Sequence, residues 1–185
     1  MENLYTDIIF SGSGGQGVML IGNALSLAAL DRGYLVTYMP SYGVEMRGGA
    51  ANCTVVISTE EIGSPVIGFP EILVAFNRDS FERFISRVKP GGTVIVNSTL
   101  VPDYRVERKE TRVLPVALNA LAQEIGDERL MNIVGLGALV EWISVVEAGD
   151  IERVFPRVLG KNFEKYRDLY LKALSVGAEE ARKMK

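Results

Sequence analysis

The chain contains no histidine. That removes every imidazole-based scheme at once: His-based triads, histidine metal sites and imidazole acid–base catalysis. It has one cysteine, Cys53. A single thiol cannot hold an iron–sulfur cluster, which takes four. There is no Walker A loop, EF-hand or His-Glu-x-x-His motif. Met1-Glu2-Asn3 does not begin a signal peptide. The longest apolar stretch, Ile133 to Val146, is interrupted by Glu141 and is shorter than the roughly 20 residues a membrane span needs. A cytoplasmic protein without membrane contact is expected. A net charge of −3 gives no electrostatic footprint for nucleic acid.

What remains is apolar and glycine-rich. Hydrophobic residues make up 48% of the 185, and mean hydropathy is +0.16. A buried parallel sheet accounts for such values, and so does a surface covered by partner subunits. The length suits one domain, residues 1–185, with a sizeable core. No repeat, low-complexity tract or domain boundary interrupts it.

The organising stretch is Ser11-Gly12-Ser13-Gly14-Gly15-Gln16-Gly17-Val18. Asp7-Ile8-Ile9-Phe10 before it is a short apolar run suited to a buried strand. Leu20, Ile21, Ala24, Leu25, Leu27 and Ala28 after it recur at helical spacing. Strand, glycine turn and helix follow in that order, with Gly12, Gly14 and Gly17 in G-x-G-x-x-G spacing. Glycines let the turn be tight and another group approach the backbone. A helix start offers free N–H groups and partial positive charge, which suits an anion. The alternative is that the glycines only permit a close strand-to-helix crossover. A dinucleotide site would also want an acidic residue about 20 positions on, ending the second strand. The second strand, Leu35 to Met39, runs instead into Pro40-Ser41, which counts against NAD or FAD.

Along the chain, a strand is expected at about 6–10, a helix at 16–31 closed by Gly33, and strands at 35–39, 52–58 and 72–76. Asn77 or Asp79 caps the next helix, in which Phe81, Phe84, Ile85 and Val88 share a face. Pro90-Gly91-Gly92 ends it, and a strand follows at 93–97. The charged segment 101–113 has room for one or two short strands. Helices are expected at 115–125, closed by Gly126, at 133–146, capped by Asn132, and at 161–184. The helix at 133–146 is apolar nearly all round, so it is central to the core or covered by another subunit. Trp142 within it is read as core filler. On the last helix, Phe163, Tyr166, Tyr170, Leu174 and Ala178 form a stripe, and the far face is solvated. The alternation implies a three-layer α/β fold: a Rossmann-like, mostly parallel sheet with helices on both faces and a C-terminal helical segment.

Pro40 to Gly49 forms a loop rich in turn residues that carries Glu45 and Arg47. Two-apart residues share a face of an extended chain. This loop leaves the carboxyl end of the second strand, as the glycine turn leaves that of the first. Ligands gather at that edge of an open α/β sheet. A guanidinium beside exposed N–H groups makes a site for phosphate or carboxylate. Pairing of Glu45 with Arg47, and contact with a partner, stay open as alternatives. Cys53 lies in a strand and reads as a small buried filler, because a reactive thiol wants an electropositive, part-exposed setting.

Four segments, Gly12–Val18, Ser41–Gly49, Ile62–Pro65 and Asn132–Ala138, resemble in order the gamma subunit of 2-oxoacid:ferredoxin oxidoreductases. Arg47-Gly48-Gly49-Ala50-Ala51-Asn52-Cys53 is similar to the 2-oxoglutarate branch more than to the pyruvate branch. Val44 stands where that branch would have proline. The resemblance implies a complex that decarboxylates a 2-oxoacid oxidatively, passes the acyl group to coenzyme A and reduces ferredoxin. It implies alpha, beta and ferredoxin-like delta partners. Thiamine diphosphate and Mg would sit in alpha and beta, and iron–sulfur clusters in the ferredoxin-like unit. No catalytic or metal-binding residue is expected in this chain, which would be inactive alone; a homodimer of the isolated chain stays open. Coenzyme A would approach Gly12, Gly14, Gly15, Gln16, Gly17, Glu45, Arg47 and Gly48. A stand-alone nucleotide-binding protein, a protein scaffold, and the gamma subunit of the pyruvate or branched-chain enzyme are the competing readings.

Overall fold

A computed structural model describes residues 3–42, 49–106 and 110–185. Six strands form one sheet: β1 (Tyr5–Ser13), β2 (Leu35–Tyr42), β3 (Ala50–Ser58), β4 (Ile72–Ala75), β5 (Thr93–Asn97) and β6 (Arg112–Val116), in the order β2-β3-β1-β4-β5-β6. β1, β4, β5 and β6 pair in parallel, whereas β3 runs antiparallel to both β1 and β2. β2 therefore points the same way as β1, so the carboxyl ends of both lie at one edge. Pro115 stands in β6, where a helix start was expected. An edge strand tolerates proline because one side of it has no ladder to break.

The helices are α1 (Val18–Asp31), α2 (Arg78–Ile85), α3 (Leu118–Ile125), α4 (Met131–Ile143), α5 (Ala148–Leu159) and α6 (Lys161–Arg182). Sequence periodicity missed α5. Its polar start is held by a reciprocal cap between Glu147 and Asp150, and its buried side rests on only Ile151, Val154 and Phe155 beside that aspartate. α1 begins two residues later than expected because Gly17, at φ +73, is still in the turn.

Strand alternation divides the core. Ile8, Phe10, Cys53, Val55 and Ile57 face α1, α3, α4, α5 and α6. Ile9, Val56 and Leu73 face the opposite side, where Phe81 and Phe84 of α2 cover them. Helices thus lie on both faces, but among the described residues α2 is alone on the second. α4 is central, buried from Met131 through Val140. It meets α6 at backbone distance: a Cβ added to Gly137 would lie 2.0 Å from the Leu174 carbonyl oxygen, and one on Gly177 would lie 1.9 Å from that of Val134. Trp142 packs on this core and donates from Nε1 to Thr93 Oγ1 at 3.2 Å. Among the described residues no helix is long and apolar enough to cross a membrane.

Candidate functional site

β1 delivers Ser11, Gly12 and Ser13 to the carboxyl edge of the sheet, and the chain turns there through Gly15 at φ +98 and Gly17 at φ +73. The Gln16 side chain folds back into the turn, and its Oε1 accepts from the Ser13 amide at 2.7 Å and from Asn77 Nδ2 at 3.1 Å. Gly12 must lack a Cβ for this, since one would stand 2.6 Å from that oxygen. Asn77 Nδ2 also reaches Ser13 Oγ at 2.8 Å, while Asn77 Oδ1 accepts from the Ser80 amide and caps α2. One side chain thereby fixes the glycine turn against the start of α2. The expected cap is observed, and its link to Ser13 and Gln16 is what the sequence did not reveal.

On the other side, the Gly14 amide donates to the Gly49 carbonyl at 3.0 Å. The pairs Ser13↔Ala50 and Tyr42↔Ala51 bring both described ends of the second loop beside the turn. Glu45, Arg47 and Gly48 themselves lie outside the described residues. Gly12, Gly14, Gly15, Gln16 and Gly17 are together in the turn, with Gly15 exposed at its tip. No acidic residue stands in the first turn of α1, and among the described residues no side chain caps it. Its amino end carries the partial positive charge of the helix dipole, a setting that suits an anion.

Asn132 is not the cap expected for α4. Its helix begins one residue earlier, and its Oδ1 accepts from the adjacent Ile133 amide at 2.8 Å. It packs under the glycine turn instead: a Cβ on Gly17 would stand 1.9 Å from Asn132 Nδ2. The Asn132-Ile133-Val134-Gly135-Leu136-Gly137 segment is therefore structural, supporting Gly17 at one end and admitting α6 at the other.

A cleft of about 90 Å³ opens between β1 and β4, lined by Ser11, Gly12, Ser13, Asn77, Asp79 and Arg83 among others. α1 and α2 leave these neighbouring strands toward opposite faces, which makes this the switch point of the sheet, the usual ligand crevice of open α/β folds. Arg83, a residue missed in the sequence, supplies a cation there, its guanidinium 5.3 Å from the Phe84 ring centre. A basic residue four positions after Asp79, on the same helix face, was the available signal. A larger cavity of about 280 Å³ lies on the helix-rich face between Leu20, Arg129, Tyr166 and Tyr170. Its Arg129 is already paired with Asp127 at 2.6 Å, so it suits a phosphate less well. Cys53 is fully buried, and burial pushes its thiol up to about 12. It is filler, as expected, and not a nucleophile.

A glycine turn, a helix amino end and a switch-point cleft on a mostly parallel sheet define an α/β unit of Rossmann-like architecture. The chain belongs to the pyruvate ferredoxin/flavodoxin oxidoreductase family, whose pattern matches residues 7–180. It is 36% identical over 176 residues to the ketoisovalerate oxidoreductase subunit VorA of Methanothermobacter marburgensis, covering 94% of this chain and 36% of the relative. It is 33% identical over 180 residues to the 2-oxoglutarate synthase subunit KorC of Methanocaldococcus jannaschii, covering 96% and 95%. The chain thus spans about a third of the ketoisovalerate relatives and nearly all of that KorC. Among solved structures, a keto/oxoacid ferredoxin oxidoreductase gamma subunit from Geobacter sulfurreducens superposes with TM-score 0.81 at 31% identity, over 96% of this chain and 99% of that one. A 2-oxoglutarate:ferredoxin oxidoreductase from Magnetococcus marinus shares the fold at TM-score 0.89 and 24% identity, over 98% of this chain and 32% of that one.

Proposed function

We propose that this chain is the gamma subunit of a multisubunit 2-oxoacid:ferredoxin oxidoreductase of the cytoplasm, and that the oxoacid is 2-oxoglutarate. The near end-to-end match to KorC carries the reading, because there chain and relative have nearly the same extent. Alpha, beta and ferredoxin-like delta subunits would supply thiamine diphosphate, Mg and iron–sulfur clusters, with ferredoxin as acceptor. The donor set here does not fit a cluster, since its one thiol is buried and uncharged.

This chain's own part is to receive the phosphates of coenzyme A. Gly12, Gly14, Gly15, Gln16 and Gly17 form the turn that leads into α1. The Gly14 and Gln16 amides already donate to the Gly49 and Ser13 carbonyls, so the phosphates would meet the turn at Gly15 and Gly17. Glu45, Arg47 and Gly48 belong to the loop that departs from and returns beside them. Gln16 and Asn77 hold the turn in place before the ligand arrives, which lowers the entropy lost on binding. Nothing in this set performs the decarboxylation. The test is kinetic, on the assembled complex. Arg47→Ala should raise the KM for coenzyme A about tenfold, as expected for one charge-assisted contact. An unchanged KM would remove the coenzyme A assignment. Turnover of 3-methyl-2-oxobutanoate in preference to 2-oxoglutarate would move the complex to the ketoisovalerate branch.

A further inference from the structure

The second face of the sheet is an incomplete layer. A mostly parallel sheet is normally covered on both faces. Here α2 has eight residues, about 12 Å of helix. Six strands at about 4.8 Å spacing make a sheet more than 20 Å wide. α2 packs on β4 and β1. Over the β2–β3 end there is no helix among the described residues. The strap between β3 and β4 adds to this face, inserting Ile67 among Ile9, Val56 and Leu73, with Ile62 partly buried beside it, and it is tied to Arg87 just after α2.

The strap also turns apolar side chains outward. Val66 is 68% exposed and Phe69 64%. They are not loose: Arg87 Nε donates to the Gly68 carbonyl at 3.0 Å, the Val66 amide donates to Ser64 Oγ at 3.1 Å, and the Lys89 amide donates to the Pro70 carbonyl at 2.9 Å. On β2, alternation puts Leu35 and Met39 on this same face, 47% and 37% exposed. A braced aromatic with apolar neighbours loses little entropy when a partner covers it.

What covers it is indicated by the lengths of the relatives. In VorA of M. marburgensis the matched region is 36% of the polypeptide, so roughly two-thirds continues beyond this unit in the same chain. Contacts made within a fused chain become contacts between subunits when the parts are separate polypeptides. We propose that the Val66–Phe69 strap, with Leu35 and Met39, is the docking surface for the subunit that corresponds to the remaining two-thirds of that fused relative. This rests on the gamma-subunit reading and adds the face that makes the contact.

The experiment titrates the intact chain with the separately expressed subunit, from the same source, that aligns with the unmatched part of VorA. Binding is read by isothermal titration, and oligomeric state by sedimentation. The Val66→Ser/Phe69→Ser pair should weaken binding about tenfold or more, and Leu35→Ser/Met39→Ser should weaken it measurably. Leu30→Ser, an equally exposed leucine ending α1 on the other face, should stay within about twofold of wild type. Wild-type affinity in the strap variant, or equal loss in the Leu30 control, overturns the surface assignment alone. So does a self-dimer of wild type that the strap variant abolishes, since the face then belongs to a second copy. Failure of the wild-type chain to bind that subunit overturns the gamma-subunit reading and the surface with it.

Discussion

The Gly14 amide donates to the Gly49 carbonyl at 3.0 Å, and this one bond joins the two glycine-rich loops of the chain at the carboxyl edge of the sheet. The antiparallel insertion of β3 makes it possible. Because β3 starts beside the end of β1, the loop that precedes β3 returns to the turn that follows β1.

Gln16 provides a clean test of the anion reading. Gln16→Glu keeps an acceptor for the Ser13 amide and Asn77 Nδ2 but adds negative charge beneath the turn. Stability should change by less than about 1 kcal/mol, while the KM for coenzyme A in the assembled complex rises about tenfold. Gln16→Ala removes both bonds and should lower stability by about 1–2 kcal/mol, measured by urea unfolding.

The α4–α6 crossing should be intolerant of a single methyl. Gly137→Ala and Gly177→Ala place a Cβ against backbone carbonyls that have no rotamer by which to retreat. Each should destabilise by about 3 kcal/mol or more, or prevent folding. Gly63→Ala, with nothing within 4 Å of its added Cβ, should leave the melting temperature within a few degrees of wild type.

Asp150 should make the chain acid-labile. Burial alone would raise its carboxyl, but the Glu147 amide at 2.7 Å and the Arg32 guanidinium at 2.8 Å outweigh burial and hold it below the usual value. A folded value below the unfolded one stabilises the chain above about pH 3.9, and that contribution is lost as pH falls through the folded value. Thermal melts should show it fade below about pH 4. Asp150→Ala should flatten that part of the profile and destabilise α5 by about 1–2 kcal/mol at pH 7, since it removes half of the cap.

Cys53 should resist thiol reagents in the native state. With its thiol pushed up to about 12 and no exposed surface, labelling at pH 8 should follow unfolding and be complete only in denaturant. Rapid native labelling would contradict the burial.

Much of this molecule is written locally. The β1–turn–α1 unit, the Asn77 cap and the Gly33 and Gly126 helix ends depend on neighbouring residues, through strand period, glycine conformation and side-chain capping, so the amino-acid order alone determined them. Long-range geometry decided the rest. The reversal of β3 between β1 and β2 is a matter of pairing, and strand period is blind to direction. Asn132 looked like a cap because its short side chain suits one, but packing beneath Gly17 took it. The isolation of α2 on one face follows from which side each crossover takes, and a sequence does not display that. Arg83 reached the switch-point cleft by the same route, carried there by a helix whose face was fixed only when Phe81 and Phe84 were buried.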